Sequence, residues 1–173
     1  MVEKVGGGKP SESGKDQYGR ARLIDVIDYL DGEKAIILFS VEGWGDYVLP
    51  ICIDATMAFS IKKALENINF PRPLTHDLLV TILDKLDATI EKVTIDAMID
   101  NIYVATIYLR DNRTGELFHI DARPSDATAL AVRVGAPIYI AHHLKKYAYP
   151  YSIYRKLRGA RVEIEEEEEN EEE

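Results

Sequence analysis

The chain has a single cysteine, Cys52, among its 173 residues. An internal disulfide is therefore excluded, and the paired-cysteine pattern of a zinc ribbon is missing. Cys52 lies in an apolar stretch, where a buried, inert thiol is expected. No Gly-rich Walker loop occurs, so a nucleotide-triphosphatase reading has no support. Long hydrophobic runs are lacking too. The longest, such as Ala35 to Phe39, fall far short of the ~20 apolar residues that a spanning helix needs. No apolar segment follows Met1, so a secretory signal is not expected, and a cytoplasmic location is the default. Acidic residues are absent from Ala127 to Val162, a stretch that carries Arg133, Lys145, Lys146, Arg155, Lys156, Arg158 and Arg161. They crowd instead between Glu163 and Glu173, where nine of the 30 Asp and Glu lie. Taking those nine away leaves 21 acids against 21 Lys and Arg, so the net charge of −9 belongs to one terminal block.

A hydrophobic content of 46% suffices for a real core, and the length fits one domain with tails. Residues 1–20 are rich in Gly, Ser and Lys without apolar periodicity, and read as a flexible lead-in. Strands are expected at Leu23–Leu30, Ala35–Val41 and Tyr47–Ile53, with turns at Asp31-Gly32 and Gly43-Trp44-Gly45-Asp46. Asp54 suits a helix N-cap. Met57, Ala58, Ile61, Ala64, Leu65 and Ile68 then trace a helix face. Pro71 and Pro73 end that helix. Thr75 is the expected cap of a second helix, whose core stripe reads Leu78, Leu79, Ile82, Leu83 and Leu86. Further strands are expected at Thr89–Asp96, Tyr103–Arg110 and Glu116–Asp121, with turns at Asp100-Asn101 and Asp111–Gly115. Pro124 fits the first position of a third helix. Its apolar stripe is Ala127, Leu130, Ala131 and Val134, and a short strand follows at Pro137–Ile140.

The pattern argues for an α+β fold, a compact mixed sheet of antiparallel meanders covered by helices. Three strands then a helix occurs twice, and Asp54-Ala55-Thr56 and Asp126-Ala127-Thr128 occupy similar places. A duplicated β-β-β-α unit is one reading of that recurrence. Residues 21–141 make up the domain. Residues 142–162 form a basic, Tyr-rich extension, and the polyglutamate tail of residues 163–173 is expected to be disordered.

Chemistry-bearing residues gather in two places. One is the strand-to-helix junction Asp121-Ala122-Arg123-Pro124-Ser125-Asp126, and the other is Pro71-Arg72-Pro73-Leu74-Thr75-His76-Asp77-Leu78. Asp121, Asp126 and Asp77 are candidate ligands for Mg²⁺ or Mn²⁺, hard cations that take carboxylate oxygens. The structural alternative is that Asp126 completes a helix N-terminus while Asp121 pairs with Arg123. His76 is the candidate general base or metal ligand, against a surface histidine in a capping turn. Arg72 and Arg123 are candidate phosphate forks, and Ser125 a phosphate contact. For Arg123 the alternative is neutralising its acidic neighbours, and for Ser125 it is capping. His119 is expected to pack or lie exposed. His142-His143 are weak metal candidates, because adjacent strand residues point to opposite faces. In the extension, Lys145, Lys146, Arg155, Lys156, Arg158 and Arg161 alternate with Tyr147, Tyr149, Tyr151 and Tyr154. That composition suits single-stranded nucleic acid. It equally suits tyrosines covering a sheet with cations facing water.

These two motifs, in this order, resemble the bifunctional nuclease domain family, and the match runs from about Leu49 to about Ala141. The resemblance implies hydrolysis of RNA, with DNA as a second substrate, in a compact mixed fold. The expected enzyme is a divalent-metal-assisted nuclease with His76, Asp77, Asp121 and Asp126 as its catalytic set. The expected partners are nucleic acid, with a homodimer favoured and no membrane. Two alternatives stand beside it. One is a non-catalytic module for nucleic acid or a phosphorylated ligand, and the other is a scaffold that self-associates through sheet edges.

Overall fold

Two three-stranded meanders, each continued by a helix, build most of the molecule. The computed structural model describes residues 2–4 in backbone only, together with 17–29 and 32–156. The Asp31 turn position, Arg158, Arg161 and the polyglutamate tail lie outside the described residues. The strands are β1 (Val2–Lys4), β2 (Tyr18–Asp28), β3 (Lys34–Val41), β4 (Tyr47–Asp54), β5 (Ala88–Ile99), β6 (Ile102–Asp111), β7 (Leu117–Ala122), β8 (Ile138–Ala141) and β9 (Tyr149–Pro150). The helices are α1 (Ala55–Leu65), α2 (Thr75–Lys85) and α3 (Pro124–Val134), followed by a 3-10 helix, His142–Tyr147. A last helical turn spans 151–156. The fold is α+β, as the strand and helix signals imply. Val2–Lys4 pairs with β7, and Tyr18 begins β2, so both ends of the expected lead-in carry strand.

The nine strands among the described residues join one sheet in the order β1-β7-β6-β5-β8-β2-β3-β4-β9. Within β2–β4 and within β5–β7 every pairing is antiparallel. The short strand β8 fastens the two meanders together, antiparallel to β2 and parallel to β5. The turn between β5 and β6 is a two-residue one, with Asp100 at φ 49° and Asn101 at φ 62°, the left-handed pair that a tight hairpin demands. The recurrence of three strands and a helix does not extend to a demonstrated duplication, and α2 has no counterpart after β7.

Strand alternation divides the side chains between two faces. Ile37 and Phe39 of β3, Val93 and Ile95 of β5, Ile107 of β6 and Ile138 and Ile140 of β8 point to one side. There they meet Ala58 and Ile61 of α1 and Ala127, Leu130 and Ala131 of α3. The small residues of α3 let it settle close to the sheet and beside α1. On the opposite face, Leu38 and Val48 form a smaller cluster with Tyr154. Cys52 of β4 is exposed rather than buried. Its neighbours Ile51 and Ile53 take the inward positions, so the alternation turns the thiol out.

α2 departs most from its expected packing. Leu78, Leu79, Ile82 and Leu86 are all exposed, whereas His76 is buried and Val80 and Leu83 meet the core. Residues 76, 80 and 83 form an i, i+4, i+7 stripe that shares Leu83 with the expected apolar one and lies to one side of it. Its N-cap is Leu74, with Thr75 the first helical residue. Pro124 does open α3, and Gly135 ends it at φ 68°, a left-handed position suited to glycine.

Candidate functional site

The inward edge of α2 carries polar residues to the place where α1 and α3 run side by side. The N–H of Leu74 donates to Asp77 Oδ2 at 2.9 Å, which fixes the first turn of α2. Asp77 then receives Arg133 Nε of α3 at 2.8 Å and the ammonium of Lys63 of α1. Arg133 has two further bonds, from Nη1 to the Ala129 carbonyl at 2.8 Å and from Nη2 to Ser60 Oγ at 3.1 Å. Ser60 Oγ lies 3.0 Å from His76 Nδ1, and His76 Nε2 lies 3.1 Å from Asp126 Oδ1. Asp126 also accepts from Arg123, with Nε 2.7 Å from Oδ2 and Nη2 3.3 Å from Oδ1. The result is one continuous line of side chains: Lys63, Asp77, Arg133, Ser60, His76, Asp126, Arg123.

Depth varies along this line. Ser60, Lys63 and His76 are buried, and the Arg133 side chain is 7% exposed. Asp126 is 31% exposed and Arg123 64% exposed, so the line surfaces at the N-terminus of α3. Burial by itself would raise the Asp77 carboxyl. Donation from Lys63, Arg133 and the Leu74 amide outweighs that effect and holds it well below the usual carboxylate range. At Asp126, burial also pushes upward, and donation from Arg123 and His76 prevails, leaving its pKa lowered. The same bond to Asp126 raises Arg123 above its ordinary value.

The structure thus brings together His76, Asp77, Asp126 and Arg123 from the expected set. Asp121 stands apart. Ile120 and Ala122 of β7 pack on the main core, so Asp121 between them faces the other side of the sheet. It is exposed and lies opposite Thr106 of β6. Ser125 is buried at 6% exposure, which withdraws it from a surface phosphate. Arg72 is exposed in the link between α1 and α2. Arg155 and Lys156 follow Tyr154, which packs on Leu38, on the sheet face away from α1 and α3. Lys145 lies over the Tyr47 ring at 5.8 Å and Lys146 over Tyr147 at 5.0 Å, so these cations are already stacked. His119 packs on Tyr108 with ring centroids 4.5 Å apart. His142 Nδ1 accepts the Trp44 indole N–H at 2.9 Å.

A divalent cation needs several free oxygen ligands on one side. No group of three or more His, Cys, Asp or Glu among the described residues has that arrangement. Asp77 and Asp126 are engaged by Lys63, Arg133 and Arg123, and Asp121 faces elsewhere. As they stand, these three carboxylates do not fit a metal.

Ser60, Lys63 and Arg133 were not legible as site residues. Ser60 interrupts the apolar face of α1, and Arg133 follows Asp126 by seven residues, on one face of α3. Both spacings are visible in the sequence, but only the packing of α2 gives them a partner.

Comparison with known proteins adds a family. The model of the bifunctional nuclease domain matches residues 36–149. An uncharacterized protein of Mycobacterium tuberculosis is 35% identical over 122 residues, 70% of this chain and 71% of that protein. Bifunctional nuclease 2 of Oryza sativa subsp. japonica is 30% identical over 135 residues, 76% of this chain and 39% of the plant protein. Bifunctional nuclease 1 of Arabidopsis thaliana is 28% identical over 111 residues, 64% of this chain and 34% of the plant protein. The chain therefore spans well under half of either plant relative.

Proposed function

The chain belongs to the bifunctional nuclease domain family, and from that membership we propose that it hydrolyses phosphodiester bonds of RNA and DNA at the surfacing end of its helix junction. One observation carries the reading. An exposed guanidinium, Arg123, sits at the N-terminus of α3 and is joined through Asp126 to the buried imidazole of His76. A helix N-terminus and a planar fork both favour phosphate. Hydrolysis requires water to lose a proton as it attacks phosphorus, and the departing sugar oxygen to gain one. Asp126 and His76 are the coupled groups placed to hold that proton. Exposed Arg72, from the other motif, is a second candidate for backbone phosphate.

A binding module is the second reading, and the ion pairing favours it. Both carboxylates are already matched by cations, as in a rigid junction that recognises an anion without cleaving it.

Labelled single-stranded RNA and DNA, incubated with Mg²⁺, Mn²⁺ or EDTA, decide between them. Asp126→Asn, with folding verified by thermal melting, should lower cleavage by about 100-fold or more. Arg123→Ala should raise KM more than it lowers kcat. Undiminished cleavage by folded Asp126→Asn would overturn the assignment of the site. Binding without cleavage by any preparation would favour the module. Loss in EDTA would bring a divalent cation into the reaction, and it would have to displace Arg123 or Lys63 to reach Asp126 or Asp77.

A further inference from the structure

Ser60 lies inside α1, away from solvent, and its hydroxyl has two partners, Arg133 Nη2 and His76 Nδ1. A guanidinium can only donate. Arg133 therefore takes one lone pair of Ser60 Oγ, and the Ser60 proton needs an acceptor of its own. A buried hydroxyl proton left without one is costly. His76 Nδ1 is the acceptor within reach.

We infer that Ser60 and Arg133 are positioning residues that set which nitrogen of His76 carries the proton. Arg133 donates to Ser60, Ser60 donates to His76 Nδ1, and the neutral ring keeps its hydrogen on Nε2 and donates it to Asp126 Oδ1. A carboxylate is acceptor-only when ionised, so the line ends there, with Arg123 donating from the other side. Every bond between Arg133 and Asp126 then points the same way.

Arg133 is itself held at three nitrogens, by Asp77, Ala129 and Ser60. It cannot swing away from Ser60 without breaking the other two bonds. A protonated Nδ1 would place a second donor at Ser60 Oγ beside Arg133, and would orphan the Ser60 proton. The arrangement thus selects one tautomer, and with it the ring edge turned toward the surface. Asp77 and Lys63 act one step further back, since they anchor Arg133.

The inference rests on the proposed nuclease site for its kinetic consequence alone. The tautomer is measurable in protein that cleaves nothing. The full chain, labelled with ¹⁵N in the imidazole rings, is observed by NMR at alkaline pH, and His76→Gln supplies the assignment. The expected signature is a protonated Nε2 and an unprotonated, hydrogen-bonded Nδ1. A protonated Nδ1 in the wild-type ring overturns the inference without recourse to any variant. Ser60→Ala should shift the Nδ1 resonance, and Ser60→Thr, which restores a hydroxyl, should shift it back. An Nδ1 resonance indifferent to Ser60→Ala also overturns it. Where cleavage is found, folded Ser60→Ala should lose about tenfold in kcat with KM little changed. An equal rise in KM alone would mean that Ser60 serves binding and not proton placement. Cleavage absent from wild type, with the expected tautomer present, would count against the nuclease reading and leave the positioning inference standing.

Discussion

Arg133 illustrates how much one side chain can decide. Its guanidinium is almost wholly enclosed and bonds residues of three helices. Arg133→Ala would leave Asp77, Ser60 and the Ala129 carbonyl short of a donor at once. The expected loss in urea unfolding is about 3–5 kcal/mol, the scale for breaking a buried ion pair by removing one member. Arg133→Lys should recover only part of it, because an ammonium cannot match the fork. A loss below about 1 kcal/mol for Arg133→Ala would show that water replaces these bonds freely. Gly19 is decided by space rather than charge. A Cβ there would lie 2.6 Å from Val41 Cγ1, 2.8 Å from the Glu42 carbonyl oxygen and 2.8 Å from His142 Cε1. Gly19→Ala should therefore cost about 1–3 kcal/mol in the same measurement, although the residue is an unremarked glycine in the sequence.

Elements were legible where their signals are local. Pro124, the Asp100-Asn101 pair and the strand alternations each act within a few residues, and each element lies close to where those signals place it. The rotation of α2 was not legible. Its expected stripe runs through Leu78, Leu79, Ile82, Leu83 and Leu86, yet of these Leu83 alone meets the core, on the edge with His76 and Val80. The choice is made by partners on two other helices, α1 and α3, that satisfy His76 and Asp77. Two substitutions separate the alternatives. Ile82→Gln should change stability by no more than about 0.5 kcal/mol, as for a surface position. Leu83→Ala should cost about 2 kcal/mol or more, as for a side chain that packs on the core. Comparable losses at both positions in thermal melting would restore the stripe expected from periodicity. The candidate site was half legible for a similar reason. Motifs marked His76, Asp77, Arg123 and Asp126, but Ser60 and Arg133 acquire meaning only from α2's rotation.

At the scale of the whole molecule, the depressed carboxylates make folding sensitive to acid. Asp77 and Asp126 bind protons less readily in the folded state than in the unfolded one. Their stabilisation is thus complete above the unfolded carboxylate pKa of about 4 and is lost as pH falls through the lower folded values. Melting temperature should drop steeply below about pH 4, and Asp77→Asn should flatten that drop. An unchanged slope in the variant would mean that other carboxylates dominate. No helix among the described residues is long and apolar enough to cross a membrane. The sheet order also has a consequence for synthesis. β8 is the inner neighbour of both β2 and β5, yet it comes after all the long strands. A nascent chain on the ribosome can form each meander early, but both inner edges stay bare until Ile138–Ala141 emerge. Bare edges recruit other strands. A chain cut before Ile138 should accordingly aggregate in place of folding as a smaller unit, and stalled translation at that point is where this protein is most exposed to chaperones.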